Sequence, residues 1–370
     1  MKKVKVLQVL NELNIGGIQV FVMNVYRNID RDTVQFDFLL SSPRKGAFEE
    51  EIEEMGGHIY RVTPRRESVV KNLCDLKRFF KQHSDYDCVH CHFSNLSYIT
   101  PLVYAKKVGI PIRIIHSHST NLPNNIVHKC LHSINKKRIN HLATHFFACS
   151  DLAGTWLFGG SAAYHKMVLI NNGIKTTDYR YNKKNAQEMK EKLGVTGKTV
   201  YGTVGTFCEA KNHPFILKLF ASLHKKNKNA VLLIAGVSPD NEIMNKMIQD
   251  YDLRDSVKLL GLRSDIPNVL QCYDCYLMPS KWEGFPVSLL EAQASGLLCF
   301  VSNSVTKQAK INHNVYYLDL NEGVEKWVDA IELHMSDNVR IENTDSITEA
   351  GFDISKTAEK LLAVYSGENI

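Results

Sequence analysis

The 370-residue sequence has no apolar run that approaches the length of a membrane-spanning helix. Its N-terminus is charged and then apolar, as in a signal peptide, but Gln8 interrupts the apolar run and no small-residue cleavage site follows. Low-complexity linkers and short internal repeats are also lacking. We therefore expect a soluble, cytoplasmic protein whose N-terminal segment forms the first strand of a core.

Cysteine is not frequent enough to indicate a disulfide scaffold, since the chain has nine cysteines in 370 residues. Two pairs, Cys88/Cys91 and Cys272/Cys275, have the two-residue spacing of zinc ligands, and Cys88 to His92 matches the haem-attachment pattern. A zinc site and a haem-attachment site therefore both remain open. The apolar strand pattern around these residues favours buried free thiols, so we expect no metal and no cofactor.

The net charge of +6 is unevenly distributed, because residues 1–165 contain 21 Lys and Arg against 14 Asp and Glu. The basic residues include Arg61, Arg65, Arg66, Lys129, Lys136, Lys137 and Arg138. The last four fall in a predicted helix over 126–142, whose apolar positions are Ile126, Val127, Leu131, Ile134 and Leu142. Such a helix either lies on an anionic membrane surface or is a solvated face. No nucleic-acid motif accompanies the charge, so no nucleic-acid partner is expected.

Strand-like and helix-like segments alternate along both halves of the chain, which predicts mostly parallel sheets with helices on both faces. The length favours two domains. We expect two tandem Rossmann-like, doubly wound α/β domains over 1–165 and 166–350, with a cleft between them. A strand at 167–171 opens the second domain. The C-terminal helix within 351–370 could extend either domain, and we expect it to pack back on the N-terminal domain.

The segment from Trp282 to Ala292 contains two carboxylates, Glu283 and Glu291, on either side of Pro286. It follows an apolar run that predicts a buried strand, and Pro286 suits the first position of a helix. A strand, a short loop and a helix start form the usual site for phosphorylated ligands in α/β proteins. The spacing suits a nucleotide-sugar, although both glutamates could be ordinary helix acids.

Two further loops have the composition of anion sites. Gly16 and Gly17 follow the first strand, but they do not form a Gly-x-Gly-x-x-Gly fingerprint, which disfavours a nicotinamide enzyme. In the second half, Gly205 to Pro214 forms a strand-to-helix loop that contains Lys211, a candidate cation for a diphosphate.

Four histidines end two neighbouring strands of the first half: His90, His92, His116 and His118. Parallel strands that end together would gather these side chains at one sheet edge. A metal site is conceivable there, but no acid or thiolate has ligand spacing nearby. Histidines that bind a hydroxyl group or line a polar site are favoured, and at least one of the four is expected in the core.

Together these motifs resemble the retaining GT-B glycosyltransferases of family 4, which include capsule and exopolysaccharide enzymes. The motif that carries the resemblance is Glu283-Gly284-Phe285-Pro286 with Glu291-Ala292. It is supported by Gly16-Gly17, Asn172-Gly173-Ile174, Gly205 with Lys211, and Gly261 with Arg263 and Asp265. The similarity covers nearly the whole chain.

The resemblance implies a role for each motif. His118, in the context His118-Ser119-Thr120, Glu283 and Lys211 would be catalytic, and His92 and His116 would lie on the acceptor side. The implied donor-binding residues are Gly16, Gly17, Gly205, Thr206, Leu262, Arg263, Gly284, Phe285, Pro286, Val287, Ser288 and Glu291. Such enzymes need no metal. The Asp-x-Asp pairs at 30–32, 85–87 and 250–252, a motif of metal-dependent transferases, are interpreted as chance.

Two positions depart from the family pattern. Thr206 stands where the family has an Arg that grips the diphosphate together with Lys211, and Gln19 replaces an acid in the first helix loop. Losing a bidentate cation weakens leaving-group stabilisation. Either Arg263 or Lys281 compensates, or activity is reduced.

The sequence therefore predicts a retaining transferase that moves a hexose or N-acetylhexosamine from a UDP-sugar. The expected acceptor is a glycan or lipid-linked glycan of a surface polysaccharide, reached at the inner face of the cell membrane. The alternatives are a catalytically weak partner subunit of the same fold, which binds glycan or another transferase, and a nucleotide-sugar epimerase.

Overall fold

The computed structural model describes residues 3–119, 125–336, 340 and 344–368, so Thr120 of the His118 motif lies outside it. The chain divides into two compact units, one of residues 1–173 with 354–370 and the other of residues 174–353. Within the described residues, no helix is both long enough and apolar enough to cross a bilayer.

The first unit is built on a parallel sheet with the order β3-β2-β1-β4-β5-β6-β7. Its strands are β1 (Val4–Leu10), β2 (Val34–Leu40), β3 (Ile59–Arg61), β4 (Cys88–Phe93), β5 (Ile112–Ser117), β6 (His145–Ala148) and β7 (Met167–Leu169). The helices before its last strand are α1 (Gly17–Asn28), α2 (Glu49–Glu54), α3 (Val69–Gln82), α4 (Thr100–Lys107), α5 (Ile126–Arg138) and α6 (Asp151–Phe158).

Strand β1 shows why this sheet is buried on both faces. Alternate side chains point to opposite faces of a strand. Leu7 and Val9 pack into one apolar layer, while Val6 and Leu10 pack into the other. Gln8 points to the same side as Val6 and Leu10, so a polar side chain is placed in the interior of the unit, where it is 1% exposed.

The second unit has a parallel sheet with the order β10-β9-β8-β11-β12-β13. Its strands are β8 (Thr199–Val204), β9 (Ala230–Ala235), β10 (Val257–Leu259), β11 (Cys275–Met278), β12 (Leu298–Ser302) and β13 (Val315–Leu318). Its helices are α7 (Lys183–Lys192), α8 (His213–Lys226), α9 (Glu242–Asp250), α10 (Ile266–Gln271), α11 (Val287–Ala294), α12 (Val324–Met335) and α13 (Thr344–Glu349).

The predicted fold class is confirmed, but the boundary at 165/166 is corrected to 173/174. Strand β7 was expected to open the second domain, yet it pairs with β6 and completes the first sheet. Helix α14 (Ile354–Tyr365) also belongs to the first unit, where Leu361 and Tyr365 are buried in the layer that contains Val6. Gly173 lies against Ile354, so close that a Cβ there would be 2.8 Å from the Ile354 Cα.

Helix α5 differs from the usual amphipathic arrangement. Its buried side chains are the polar His132 and Asn135, which bind the backbone of Leu96: the Leu96 N–H donates to His132 Nδ1, and Asn135 Nδ2 donates to the Leu96 carbonyl. Its apolar residues Ile126 and Val127 are 73% and 57% exposed. These two residues and Ile134 therefore face solvent, whereas Leu131 is half-buried and Leu142, beyond the end of the helix, packs against the core.

The predicted cysteine pairs are core residues. Cys88, Cys91, Cys272 and Cys275 are buried, and all nine cysteines are free thiols. Burial raises the pKa of the Cys272 thiol to about 12, so this side chain stays protonated.

Candidate functional site

The strand order reverses between β8 and β11 in the second unit, because β9 lies on one side of β8 and β11 lies on the other. In doubly wound sheets, ligands bind beyond the carboxyl ends of the strands at such a switch point. The loop after β8 carries Thr206 and Lys211, and the loop after β11 carries Glu283. The fold therefore brings together the two motifs that the sequence singled out.

Backbone and side-chain hydrogen bonds fasten these two loops to each other. The Lys281 N–H donates to the Ala210 carbonyl at 2.8 Å, and Asn212 Nδ2 donates to the Pro279 carbonyl at 3.1 Å. Asn212 has left-handed backbone angles (φ 54°, ψ 46°), which asparagine tolerates better than most residues. The loops thus form one preorganised support.

Glu283 and Lys211 form an ion pair on this support. Lys211 Nζ and Ser280 Oγ both donate to Glu283 Oε1 at 2.8 Å. Within the described part of the chain, Glu283 Oε2 has no partner, so this oxygen is available to a ligand hydroxyl. The Lys211 stem crosses Gly205 so closely that a Cβ on Gly205 would lie 2.8 Å from Lys211 Cε. Gly205 is thus needed for the position of Lys211.

Glu291 lies about one turn into α11 and is held by a residue that the sequence did not indicate. The Tyr179 hydroxyl donates to Glu291 Oε1 at 2.7 Å. Burial raises the pKa of the Glu291 carboxyl, while the Tyr179 hydrogen bond and the charge of Lys211 act in the opposite direction. Burial and the Glu291 charge also raise the pKa of Tyr179, which keeps it a donor.

The start of α11 differs slightly from the prediction. The helix begins at Val287, and Pro286 is the residue before it, with ψ 84°, so Pro286 is not its first helical position. Phe285 is buried and stacks on Phe352 at 5.2 Å between ring centroids. The Tyr276 hydroxyl donates to Ser288 Oγ at 2.9 Å. Gly284 and Val287 lie in the same turn, whose backbone amides are those expected to hold a phosphate.

The two cations that could compensate for Thr206 already have partners. Arg263 makes a bidentate pair with Asp265 (2.7 and 2.5 Å), and Lys281 Nζ lies 3.0 Å from Glu209 Oε1. Thr206 itself is exposed. Leu262, next to Arg263, is 62% exposed, as expected of a residue that contacts a ligand.

In the first unit, Gly16 precedes α1 and Gly17 is its first residue. Gln19, which replaces the family acid, donates from Nε2 to the Glu12 carbonyl at 3.1 Å and so closes the loop. A Cβ on Gly16 would lie 2.7 Å from Gln19 Oε1, so this closure depends on glycine.

The four histidines form one buried cluster, as the strand ends predicted. His92 of β4 is the register partner of His116 of β5, and the rings of His116 and His118 are 4.0 Å apart. His90 and His116 are 0% exposed, and His92 and His118 are 7% exposed. His92 and His116, which were expected on the acceptor side, and His118 are therefore all buried side chains of the first unit.

Hydrogen bonds link the four rings through Gln8 and Tyr365. Gln8 Oε1 lies 2.8 Å from His92 Nε2, and Gln8 Nε2 donates to the Tyr365 hydroxyl at 3.4 Å. His92 Nδ1 lies 2.8 Å from His118 Nε2. On the other side, the Tyr365 hydroxyl lies 2.8 Å from His90 Nδ1, and His90 Nε2 lies 3.2 Å from His116 Nδ1.

With Gln8 Oε1 facing His92, donor and acceptor roles follow along the whole chain of bonds. A carbonyl oxygen only accepts, so His92 Nε2 carries the proton and His92 Nδ1 accepts from His118 Nε2. His118 Nδ1 is then an acceptor, and it is buried without a partner among the described residues. On the other branch, the Tyr365 hydroxyl accepts from Gln8 and donates to His90 Nδ1, so His90 Nε2 donates to His116 Nδ1. His116 Nε2 is then a donor that has no partner among the described residues. The network therefore fixes the tautomer of His118.

Burial keeps these rings neutral. Desolvation lowers the pKa of His118 to about 3 and holds the pKa values of His90, His92 and His116 well below the usual range. The ring nitrogens of His90, His92 and His116 lie within 4.8 Å of one another, a spacing from which a metal ion could be held. Such an ion would displace the network hydrogen bonds, and Phe21 and Phe147 beside the rings offer no opposite charge.

Several residues of these sites were missed from the sequence. Tyr179 and Ser280 support the two glutamates, and Tyr365 completes the histidine network from α14. The partners of Tyr179 and Tyr365 are distant in sequence, so spacing gave no signal for them, whereas Ser280 lies three residues before Glu283. Gln8 did give a signal, because a polar residue within an apolar core strand needs a partner.

Two doubly wound parallel α/β units, with an acid–lysine pair at the switch point of the second, define the GT-B class of fold. HepE from Anabaena, solved in complex with UDP and glucose, superimposes with a TM-score of 0.78 at 17% identity, over 98% of this chain and 99% of that one. Two family descriptions match the sequence, Glycosyltransferase Family 4 over residues 15–178 and Glycosyl transferases group 1 over residues 185–352.

Curated relatives extend over nearly the whole chain. EpsF of Bacillus subtilis (strain 168), assigned as a glycosyltransferase, is 32% identical over 98% of this chain and 96% of its own length. The Escherichia coli UDP-Gal:α-D-GlcNAc-diphosphoundecaprenol α-1,3-galactosyltransferase is 26% identical over 98% and 97%. The chain therefore belongs to the group 1 (family 4) glycosyltransferases of the GT-B fold.

Proposed function

We propose that this enzyme transfers a hexose or N-acetylhexosamine from a UDP-sugar, with retention, to a glycan or lipid-linked glycan in surface polysaccharide synthesis. The observation that carries the proposal is the site at the switch point of the second sheet. There Lys211 is paired with Glu283, and Glu291 is held in position by Tyr179. The name of the galactosyltransferase relative, which includes UDP-Gal and a diphosphoundecaprenol-linked sugar, supports the choice of donor and of a lipid-linked acceptor.

Each donor group has a matching residue. Glu283 Oε2 would accept from a sugar hydroxyl, Glu291 from the ribose, and Leu262 with Arg263 would flank the base. Lys211 would leave Glu283 for the diphosphate, and the amides between Phe285 and Ser288 would hold the distal phosphate. Gly205, Thr206, Gly284 and Val287 belong to the same loops. In the first unit, we assign Gly16 and Gly17 to donor contacts and His118 to the transfer step, with its tautomer set by the network.

Cations and helix amides of the chain supply the charge that the diphosphate needs, so no metal is required in this proposal. The Asp-x-Asp pairs support this interpretation by their location. They precede β2, β4 and β10, at the amino ends of the strands, and the binding loops follow the carboxyl ends. Turnover is expected to persist in EDTA. Its loss in EDTA and recovery with magnesium would contradict the mechanism.

The acceptor side favours a membrane surface. Helix α5 exposes Ile126, Val127 and Ile134 next to Lys129 and Lys137. Exposed apolar side chains among cations are typical of a helix that rests on anionic lipid. We propose peripheral attachment of this kind, which high salt should weaken.

The test is a calorimetric titration of UDP against wild type and Glu291→Ala, with Glu325→Ala as the matched control. Glu325 is an exposed acid in the first turn of α12. Loss of the ribose hydrogen bond is expected to weaken UDP binding by about tenfold or more, since hydrogen bonds to charged groups contribute about 1.5–3 kcal/mol. Equal affinities in the three proteins would overturn the assignment.

A second candidate, a catalytically weak partner subunit, is favoured by one observation. Arg263 and Lys281, the two possible substitutes for the missing Arg at 206, are held by Asp265 and Glu209. A chain that binds UDP but hydrolyses and transfers no UDP-sugar would support this candidate.

A further inference from the structure

A cavity of about 490 Å³ lies at the carboxyl edge of the sheet in the first unit and has no role in the proposal above. Its walls come from the segments that follow four neighbouring strands, at Asn11, Ser41, Arg65 and Ser97 after β1, β2, β3 and β4. The strand order reverses between β1 and β4, so the cavity lies beside the switch point of this sheet. The cavity thus occupies the place where such sheets bind ligands.

The charges that line this cavity favour an anion. Three arginines, Arg44, Arg65 and Arg66, face one carboxylate, Glu12. Arg65 is oriented, because its Nη1 donates to the Ser97 carbonyl at 3.0 Å and its guanidinium lies 5.1 Å from the Tyr98 ring centroid. Among the described residues, the Arg44 and Arg66 guanidinium groups have neither an ion pair nor a hydrogen bond, so both are available to a ligand.

The rim of the cavity includes the apolar Val69, and further exposed apolar residues lie next to the rim in sequence. Val69, the first residue of α3, lines it, and on the same helix Val69, Val70 and Leu73 are 50%, 70% and 38% exposed. His128, in the first turn of α5, also lines it, and the exposed Ile126 and Val127 immediately precede His128. Within the described residues, the starts of the two helices that reach the cavity therefore carry exposed apolar side chains.

We propose that this cavity is an acceptor site that binds a phosphate or diphosphate group carried on a long apolar chain. Guanidinium groups bind phosphate oxygens in bidentate fashion, and three of them match a diphosphate better than a neutral sugar. The apolar chain would lie against Val70 and Val127, which a polar free glycan would leave exposed. This assignment rests on the proposed function and adds the element that selects a lipid-linked acceptor.

The test uses the full chain with UDP at saturation, so that a diphosphate probe cannot enter the donor site. Inorganic pyrophosphate, farnesyl diphosphate and farnesol are titrated against wild type, Arg44→Ala, Arg66→Ala and Val70→Ser. Arg31→Ala is the control, because Arg31 is an exposed arginine between α1 and β2, at the amino edge of the sheet. It removes the same charge without touching the cavity.

Farnesyl diphosphate is expected to bind more tightly than pyrophosphate, and each cavity arginine variant should weaken both by about tenfold. Val70→Ser should weaken farnesyl diphosphate alone, and Arg31→Ala should match wild type. If pyrophosphate and farnesyl diphosphate bound with equal affinity, the apolar residues at the rim would not be part of the binding site. Farnesyl diphosphate binding that is identical in all variants, or absent from a protein that still binds UDP, would overturn the inference while the proposed function stands. Failure to bind UDP at all would instead count against the proposed function.

Discussion

At the scale of single residues, the stability of the first unit depends on a few buried polar groups. The Tyr365 hydroxyl is the only described link between Gln8 and His90, and it is buried. Tyr365→Phe would leave the Gln8 amide and His90 Nδ1 unsatisfied, at a cost of about 1–3 kcal/mol in the free energy of unfolding. Urea denaturation measures this loss. Tyr251→Phe is the control, because Tyr251 is 40% exposed and should change stability little.

Thr206 is the residue whose replacement should improve catalysis. Arg263 and Lys281 are paired elsewhere, and Thr206 is exposed in the loop that carries Lys211, so Thr206→Arg adds a cation without disturbing the core. Its charge would act on the phosphate as the sugar–phosphate bond breaks. The expected result is a gain in kcat of about tenfold with little change in donor affinity.

Thr206→Leu separates charge from size in this experiment and should not increase turnover. Arg263→Ala and the double variant test compensation. If Arg263 already serves the diphosphate, its loss alone should lower kcat, and the added arginine should restore it. Kinetics identical to wild type in every variant would show that this loop does not touch the diphosphate.

At the scale of elements, helix ends of the second unit meet at one arginine. The Arg340 guanidinium donates to the carbonyls of Leu270 and Gln271 at the end of α10, to Tyr273, and to Ser295 after α11, over 2.6 to 3.1 Å. The last carbonyls of a helix have no partner within it, so Arg340 satisfies groups that would otherwise be unpaired. The Tyr181 ring stacks on the same guanidinium at 4.1 Å.

Arg340→Ala should therefore lower the free energy of unfolding by about 2–4 kcal/mol, as expected when several buried acceptors lose a charged donor. Arg340→Lys should recover only part of this, because an ammonium group cannot match the planar fork of donors. Arg254→Ala, at an exposed arginine of the same unit, is the control. If urea denaturation gave Arg340→Ala the same free energy of unfolding as Arg254→Ala, this stabilising role of Arg340 would be contradicted.

The sequence predicted where helices and strands occur better than which other elements they pack or pair with. Helix α8 begins at His213, next to Pro214, where the sequence predicted that the loop from Gly205 leads into a helix. Strand β7 was assigned to the wrong sheet, because three residues of periodicity do not reveal which edge they join.

The same limit applies to the candidate sites. The loops with Lys211, Glu283 and Glu291 could be predicted, since glycine, proline and charged residues at strand ends leave a local signal. The side chains that hold them, such as Tyr179, could not, because Tyr179 and Glu291 are 112 positions apart. In helix α5 the apolar pattern was misleading, because Ile126, Val127 and Ile134 are exposed and the polar His132 is buried.

At the scale of the whole molecule, the histidine cluster links stability to pH. The four rings are neutral when folded, with pKa values lowered by burial, and they titrate near pH 6.5 once unfolded. Above about pH 6.5 both states are neutral and the cluster has no effect. Below it the unfolded state binds more protons, so the folded state loses stability as pH falls, until His118 protonates at about 3.

Each ring should contribute a slope of up to about 1.4 kcal/mol per pH unit between about pH 6 and 5, a window above the titration of most carboxylates. His116→Leu removes one of these rings, so its free energy of unfolding should depend on pH less steeply than that of wild type, by that amount. His165→Gln is the control, because His165 is exposed and should leave the slope almost unchanged. Urea denaturation at several pH values gives each slope independently of the overall stability of each variant. Equal slopes in wild type and His116→Leu would mean that His116 is protonated in the folded protein, which would require an anionic partner for the cluster.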